Sequence, residues 1–451
     1  MHSWPRPHLP SLPGHGDIPV IYDVGAGEAL PSARHNQSVA AIYVCGITPY
    51  DATHLGHAAT YIAFDVLVRA WLDAGREVVY AQCVTDVDDP LLERANATGV
   101  DWRSLAERET DVYRADMHAL GVIPPNHFVG VTEIVPEIAD AGAALEHAGL
   151  AYRLSAPDGG TDLYADLAAD PQFGTVSRLS AEAMRDLFGE RGGDPDRPGK
   201  RGPLDPMLWR ARRAGEPWWD SPLGQGRPGW HVECAVIAAR HLGVPFDVQG
   251  GGMDLLFPHH EMSTSHLRGL TQSACPVAVR AHTGLIGLHG EKMSKSRGNL
   301  VLVSELVAGG VDPAAIRLAL MAGNYRRDRD WAPELLATAQ RRLAAWRAAL
   351  PPERPGSVVC GPPSGGPGAE DGGGGAGRDR GVGADNVGAP GTDRAQRDTV
   401  EHIRRALALD LDTPAAIAAV DGFVESRGRD ATPAPLVSDA IEALLGIALD
   451  H

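Results

Sequence analysis

The sequence predicts an α/β protein: a parallel-sheet nucleotide fold in two halves, separated by an insert and followed by a short helical region. Three stretches carry that expectation. Ala41-Ile-Tyr-Val44 is a short apolar strand, Cys45-Gly-Ile-Thr-Pro-Tyr-Asp-Ala-Thr-His-Leu-Gly-His57 is a tight turn, and Ala58–Arg69 has the apolar spacing of a helix. Val78-Val-Tyr-Ala-Gln-Cys83 is a second strand, ending in the polar Val84-Thr-Asp-Val-Asp-Asp89. Phe246-Asp-Val-Gln249 is a third, running into Gly250-Gly-Gly-Met-Asp254 and then Phe257-Pro-His-His-Glu261, where another helix begins. In each case chemistry-bearing residues follow a strand's C-terminal end, where open α/β sheets bind ligands.

Composition narrows the class. A chain of 451 residues implies two or three domains, and 43% hydrophobic residues are enough for a sizeable core. The net charge of −17 disfavours broad, nonspecific nucleic-acid binding, which needs a basic face. Five scattered cysteines make no disulfide framework and fit a reducing cytoplasm. Met1-His-Ser-Trp-Pro-Arg-Pro7 is no signal peptide, and no apolar run approaches a membrane span.

In chain order, 1–40 is Pro- and Gly-rich and reads as an extended lead-in with one strand near Ile18–Tyr22. The first half of the nucleotide fold spans 41–122, with Gly75 as a helix C-cap and Leu91–Leu120 mostly helical. Asp86 is favoured slightly as a ligand-positioning acid over a helix cap. The insert, 123–227, holds a helix at Glu133–Gly149, a hairpin at Tyr152–Tyr164 and a polar run, Gly189–Arg201, whose plain reading is a solvated loop. The second half, 228–331, starts with a helix at Trp230–His241 and includes a strand near Val277–Thr283. In 332–451, Leu335–Leu350, Val400–Leu409, Thr413–Glu425 and Leu436–Leu449 are helices, and roughly 351–397 is a Gly-rich linker too poor in apolar residues to order itself.

Two motifs bear charge chemistry. His54 and His57 sit at a helix N-terminus, where phosphate is best received. Lys292-Met-Ser-Lys-Ser296 offers Lys292 and Lys295, two ammonium groups able to clamp a triphosphate and stabilise a departing pyrophosphate. Together they make an adenylate-forming site from two ends of the fold. Cys45, Cys234 and His259 are candidate metal donors, and three protein donors with an open position mark catalytic zinc. Spacing alone leaves Cys83 and Cys275 open as alternatives, though both read more simply as small buried residues.

Cys45-Gly-x-Thr-x-Tyr-Asp, His54-x-Gly-His57, Thr85-Asp-x-Asp-Asp89, Trp230-His-x-Glu-Cys234, Gly250-Gly-Gly-x-Asp254, Phe257-Pro-His-His260 and Lys292-Met-Ser-Lys-Ser296 resemble the class I cysteinyl-tRNA synthetase family. The resemblance covers about 41–331, in order. It implies a Rossmann-like catalytic domain of the class I synthetase kind, ATP-dependent activation of cysteine, and one Zn²⁺ per chain on Cys45, Cys234 and His259. It also implies Mg²⁺ with ATP, His54, His57, Lys292 and Lys295 on the phosphates, and the adenylate against Cys45, Gly46, Ile47, Thr48, Thr60, Cys83, Val84, Thr85, Trp230, Gly252, Met253, Asp254 and Ile286.

Departures select a branch. The synthetases carry a fourth zinc ligand, a Glu, four residues after the histidine. Ser263 stands there, and Glu261, two along, faces away on a helix. The run Cys45–His57, the run Glu190-Arg-Gly-Gly-Asp-Pro195, Trp4 and the short tail are similar to the mycothiol-pathway cysteine:glucosaminyl-inositol ligases. Cys83 departs from that family's pattern. This branch implies L-cysteine, ATP and glucosaminyl-inositol as substrates, with an amide formed through cysteinyl-adenylate. It implies a cytoplasmic monomer with no nucleic-acid or membrane partner. A compact cysteinyl-tRNA synthetase is the alternative.

Overall fold

In a computed structural model of the chain, residues 1–50, 52–156, 159–288, 290–293, 298–351, 390–428 and 432–449 are described. Buried near the N-terminus, Trp4 donates its indole N–H to the Val122 carbonyl at 2.7 Å. The expected single strand near Ile18–Tyr22 is an antiparallel hairpin, β1 (Val20–Asp23) with β2 (Glu28–Pro31). The second strand is mostly exposed and ends in proline, so apolar alternation does not reveal it.

β3 (Val39–Ile47) is apolar almost throughout and buried on both faces, as a central parallel strand must be. α1 (Leu55–Asp73), β4 (Glu77–Val84), α2 (Asp89–Thr98), α3 (Trp102–Ala119) and β5 (His127–Gly130) follow. The stretch expected as one helix over Leu91–Leu120 is therefore two. Gly99 adopts a left-handed conformation (φ +66°) that ends α2, and the Asp101 carboxylate restarts the winding by accepting from the Ser104 N–H at 3.1 Å.

The intervening segment holds α4 (Val135–His147) and a four-stranded antiparallel sheet. Its strands are β6 (Ala151–Ser155), β7 (Thr161–Ala165), β8 (Met207–Ala211) and β9 (Gly226–Pro228), with α5 (Ala181–Glu190) between β7 and β8. The polar run 189–201, expected as a solvated loop, is tied to this sheet. Asp194 accepts from Tyr164 Oη at 2.5 Å and from Lys200 Nζ at 2.9 Å.

α6 (Trp230–Leu242), β10 (Phe246–Gly252), α7 (Glu261–Thr271) and β11 (Val277–Thr283) return the chain to the first sheet. Its five strands are all parallel, in the order β11-β10-β3-β4-β5. Winding reverses beside β3, so a crevice opens between the C-terminal ends of β3 and β10, the switch point where such sheets bind ligands.

β12 (Ile286–Leu288), β13 (Glu291–Lys292), α8 (Val303–Ala308), α9 (Pro313–Met321) and β14 (Arg329–Trp331) come next, with β12 between β13 and β14 in a small sheet. α10 (Pro333–Ala349), α11 (Pro390–Ala408), α12 (Thr413–Arg427) and α13 (Pro435–Ala440) close the chain. Of the expected linker, 352–389, including Cys360, lies outside the described residues. Residues 390–397, assigned to the same linker, form the first two turns of α11 instead. There Gln396 is buried, and its side chain accepts from the Leu436 N–H at 3.2 Å. Tertiary contact supplies what composition did not.

A buried ion network fastens α1. Asp65 accepts from Arg69 Nε and from the Ile123 N–H, each at 2.7 Å, and also pairs with Arg317. Arg317 in turn donates to the carbonyls of Leu445 (2.6 Å) and Leu120 (3.0 Å). Burial alone would raise the Asp65 pKa, but the two guanidiniums hold it below its ordinary value. Among the described residues, no helix is long and apolar enough to cross a membrane.

Candidate active site

At the end of β3 the register against β4 shifts between Val44 and Ile47, placing Cys45 and Gly46 at an irregularity. A Cβ on Gly46 would lie 1.6 Å from the Cys83 carbonyl oxygen, so only glycine allows this approach. Cys45 thereby faces α6 and the turn before α7. The donor atoms of Cys45, Cys234 and His259 all lie within 4.8 Å of one another, a group that could hold a metal ion. His259 Nε2 is 3.1 Å from Cys234 Sγ, and its Nδ1 is 3.0 Å from His231 Nδ1. Beside them, His260 Nε2 lies 3.0 Å from Cys45 Sγ, and its Nδ1 lies 2.7 Å from His282 Nε2. Trp230 stacks on His259 at 4.4 Å between ring centroids.

The electrostatics of this corner fit a cation. Burial lowers the His259 pKa to about 3, leaving a neutral imidazole with a lone pair to offer. Burial raises the thiols of Cys45 and Cys234. Two thiolates are tenable here only with a positive charge between them. Among the described residues, neither the acid nor the hydroxyl expected near this group joins it. Glu261 is turned away, accepting from the N–H groups of Gly174 (2.9 Å) and Ser177 (2.7 Å), while Ser263 Oγ accepts from Gln249 Nε2 at 3.1 Å.

A different chemistry begins at the N-terminus of α1. His54 is the N-cap, its Nδ1 accepting from the Gly56 N–H at 3.0 Å, which puts the proton of the neutral ring on Nε2. The His54 and His57 rings lie 4.0 Å apart. Thr60 Oγ1 is 2.7 Å from Thr283 Oγ1, at the C-terminal end of β11.

One cavity of about 450 Å³ joins the two ends. Cys45, Gly46, Ile47, Thr48, His54, His57 and Thr60 line it from β3 and α1. Cys83, Thr85, Trp230, Cys234, Gly252, Asp254, His259 and Ile286 continue the wall. Two expected residues sit beside it. Val84 packs in the core, because strand alternation turns it opposite to Cys83 and Thr85. Met253 sits in the turn between the lining residues Gly252 and Asp254, off the wall. Lys292 contributes backbone to β13, and Lys295 lies outside the described residues. Tyr50, Thr53, Leu255, Thr283, Met293 and Leu300 also line the cavity without having been singled out. Of these, Thr283 carried the usable signal, a polar residue ending a strand.

Two sequence expectations need correction. Asp86 is not aimed at a ligand: its carboxylate accepts from the Thr132 N–H (2.9 Å) and Oγ1 (2.6 Å). Cys275 is exposed rather than buried, since it lies in the loop before β11. Cys83 is buried on the cavity wall, its sulfur 3.6 Å from that of Cys234.

Residues 31–341 match the family model described as the tRNA synthetases class I (C) catalytic domain. The chain is 54% identical to a Cellulomonas flavigena protein named L-cysteine:1D-myo-inositol 2-amino-2-deoxy-alpha-D-glucopyranoside ligase, over 100% of both chains. A Streptomyces avermitilis protein of the same name is 52% identical, again over 100% of both. The chain belongs to this ligase family of the class I tRNA synthetases. Its fold is shared more widely. Mycobacterium tuberculosis methionyl-tRNA synthetase in complex with methionyl-adenylate superposes with a TM-score of 0.56 at 16% identity, covering 91% of this chain and 89% of that one.

Proposed function

We propose that the protein uses ATP to join L-cysteine to the 2-amine of glucosaminyl-inositol through cysteinyl-adenylate, a step of mycothiol biosynthesis. The observation that carries this reading is a single cavity with two thiols and a neutral imidazole at one end and a histidine-bearing helix N-terminus at the other. The names of the full-length ligase relatives support the acceptor.

In the first half-reaction a carboxylate oxygen of cysteine attacks the α-phosphorus of ATP, and the bond to the β-phosphate bridging oxygen breaks. His54 and His57, the first-turn N–H groups of α1, and Lys292 and Lys295 take up the charge developing on pyrophosphate. Mg²⁺ accompanies the nucleotide. The adenylate lies along Cys45–Thr48, Thr60, Cys83, Thr85, Trp230, Gly252, Asp254 and Ile286. Cys45, Cys234 and His259 would hold one zinc ion, which when bound selects cysteine over serine by its affinity for a thiolate. In the second half-reaction the sugar amine attacks the activated carbonyl, an amide forms and AMP leaves. Asp254 and His57 are wall groups suited to take the amine's proton.

Residues 41–122 and 228–331 serve as the catalytic domain, 123–227 as an inserted connective region and 332–451 as helical support. The protein acts in the cytoplasm, where ATP is, as a monomer on small molecules and without nucleic acid.

Acceptor choice tests the reading. Purified protein, ATP and radiolabelled cysteine are given glucosaminyl-inositol in one reaction and cysteine tRNA in another. Label in an amide with the sugar, and none on tRNA, is expected. Label on tRNA alone would replace this reading with that of a compact cysteinyl-tRNA synthetase.

A further inference from the structure

Between Gly252 and Glu261 the chain makes a 3₁₀ turn (Met253–Leu255) and a wider turn (Leu256–His260) that is broken at Phe257 (φ −134°, ψ 136°). This turn carries Asp254, on the cavity wall, and His259, one of the three metal donors. A turn broken in this way leaves carbonyls to be met from elsewhere, and those of Asp254 and Phe257 are met from the inserted segment. Arg191, in the polar run after α5, donates through one guanidinium nitrogen to the carbonyls of both Asp254 and Phe257. On the far side of His259, the buried Glu261 accepts the Gly174 and Ser177 N–H groups. Apolar contact fills the space between: Phe257 meets Phe173 at 6.5 Å between ring centroids and packs with Leu167, Phe188 and Met262. The loop that presents Arg191 is braced in turn, through Asp194, to Tyr164 on β7.

We propose that Arg191 is a positioning residue that fixes the 254–259 turn from the inserted segment, and so sets His259 in register with Cys45 and Cys234. The insert then governs the metal corner without contributing a donor to it. This rests on the metal reading above. Supporting partners of a metal ligand are commonly worth 10–100-fold in metal affinity, and the planar guanidinium fixes the two donor directions of that nitrogen, which a flexible, rotating ammonium on a different stem does not.

The test uses the full-length protein loaded with Co²⁺, whose visible thiolate band reports both occupancy and geometry. Arg191→Lys and Arg191→Ala are compared with Asp194→Asn, which loosens the loop from its own sheet. Both Arg191 variants are expected to weaken Co²⁺ binding by about tenfold or more, to alter the band, and to raise the KM for cysteine more than that for ATP in pyrophosphate exchange. Asp194→Asn is expected to give a smaller change in the same direction. Unchanged cobalt affinity, band and cysteine KM in Arg191→Lys, with only a lower melting temperature, would overturn the proposal. That variant decides the matter should Arg191→Ala fail to fold. No thiolate band in the unaltered protein would instead remove the metal reading, and the role of Arg191 with it.

Discussion

The two ends of the cavity are built on opposite principles. The metal corner is dry: Cys45, Cys234 and His259 are 4%, 2% and 1% exposed, and they come from three separate elements. The phosphate end is half open and local, with His54, Gly56 and His57 contributed by one helix turn. Recognising a sulfur atom requires donors held at fixed separations away from water, so each must be braced by the tertiary structure. Receiving phosphate needs a local field, which a helix N-terminus and its cap provide from a few consecutive residues. On the proposed reading, selectivity depends on distant packing and charge stabilisation on a short motif.

That contrast can be broken by substitution. Cys234→Ala removes a donor from the dry corner and is expected to lower cysteine-dependent ATP–pyrophosphate exchange by more than about 100-fold, with loss of bound zinc in elemental analysis. Full exchange in that variant would mean that the sulfur site is not the cysteine site. His57→Ala should lower the exchange kcat by roughly 100-fold while leaving zinc content and the KM for cysteine near their original values. A parallel loss of zinc would show that the two ends are not separable.

The smallest effect on activity should come from the scaffold that both ends share. Asp65→Asn breaks the buried pairing with Arg69 and Arg317, and chemical denaturation should report a loss of about 3–5 kcal/mol. Exchange per folded molecule should change little. Because Asp65 is held below its ordinary pKa, its contribution is present above the usual carboxylate range and is lost as pH falls through the lowered value. The unaltered protein should therefore lose stability in acid more steeply than Asp65→Asn.

Much of the site was legible in the chain, for identifiable reasons. The apolar run of β3, the turn after it and the helix that follows are contiguous, so local periodicity and capping reveal them together. Cys45, Cys234 and His259 were nameable as sulfur and imidazole donors, and resemblance to known motifs singled them out from Cys83 and Cys275. In sequence, an acid after a strand looks the same whether it meets a ligand or, as Asp86 does, Thr132. A motif is linear while strand faces alternate, so Val84 shares the motif of Cys83 and Thr85 but not their place on the wall. The first turns of α11 were hidden by the glycines before them, since averaged composition does not register one buried Gln396 against α13.

Residues 39–69 determine their own strand, turn and helix, along with the histidine cap, because each depends on neighbours within a few positions. Strand pairing brings β10 beside β3 and lets residues far apart in sequence meet within 4.8 Å. The reach of Arg191 from the insert to the 254–257 carbonyls is of the same kind. No local rule encodes such distances. They follow from how sheet, insert and helices close on one another, and it is this closure that makes two thiols and an imidazole into one site.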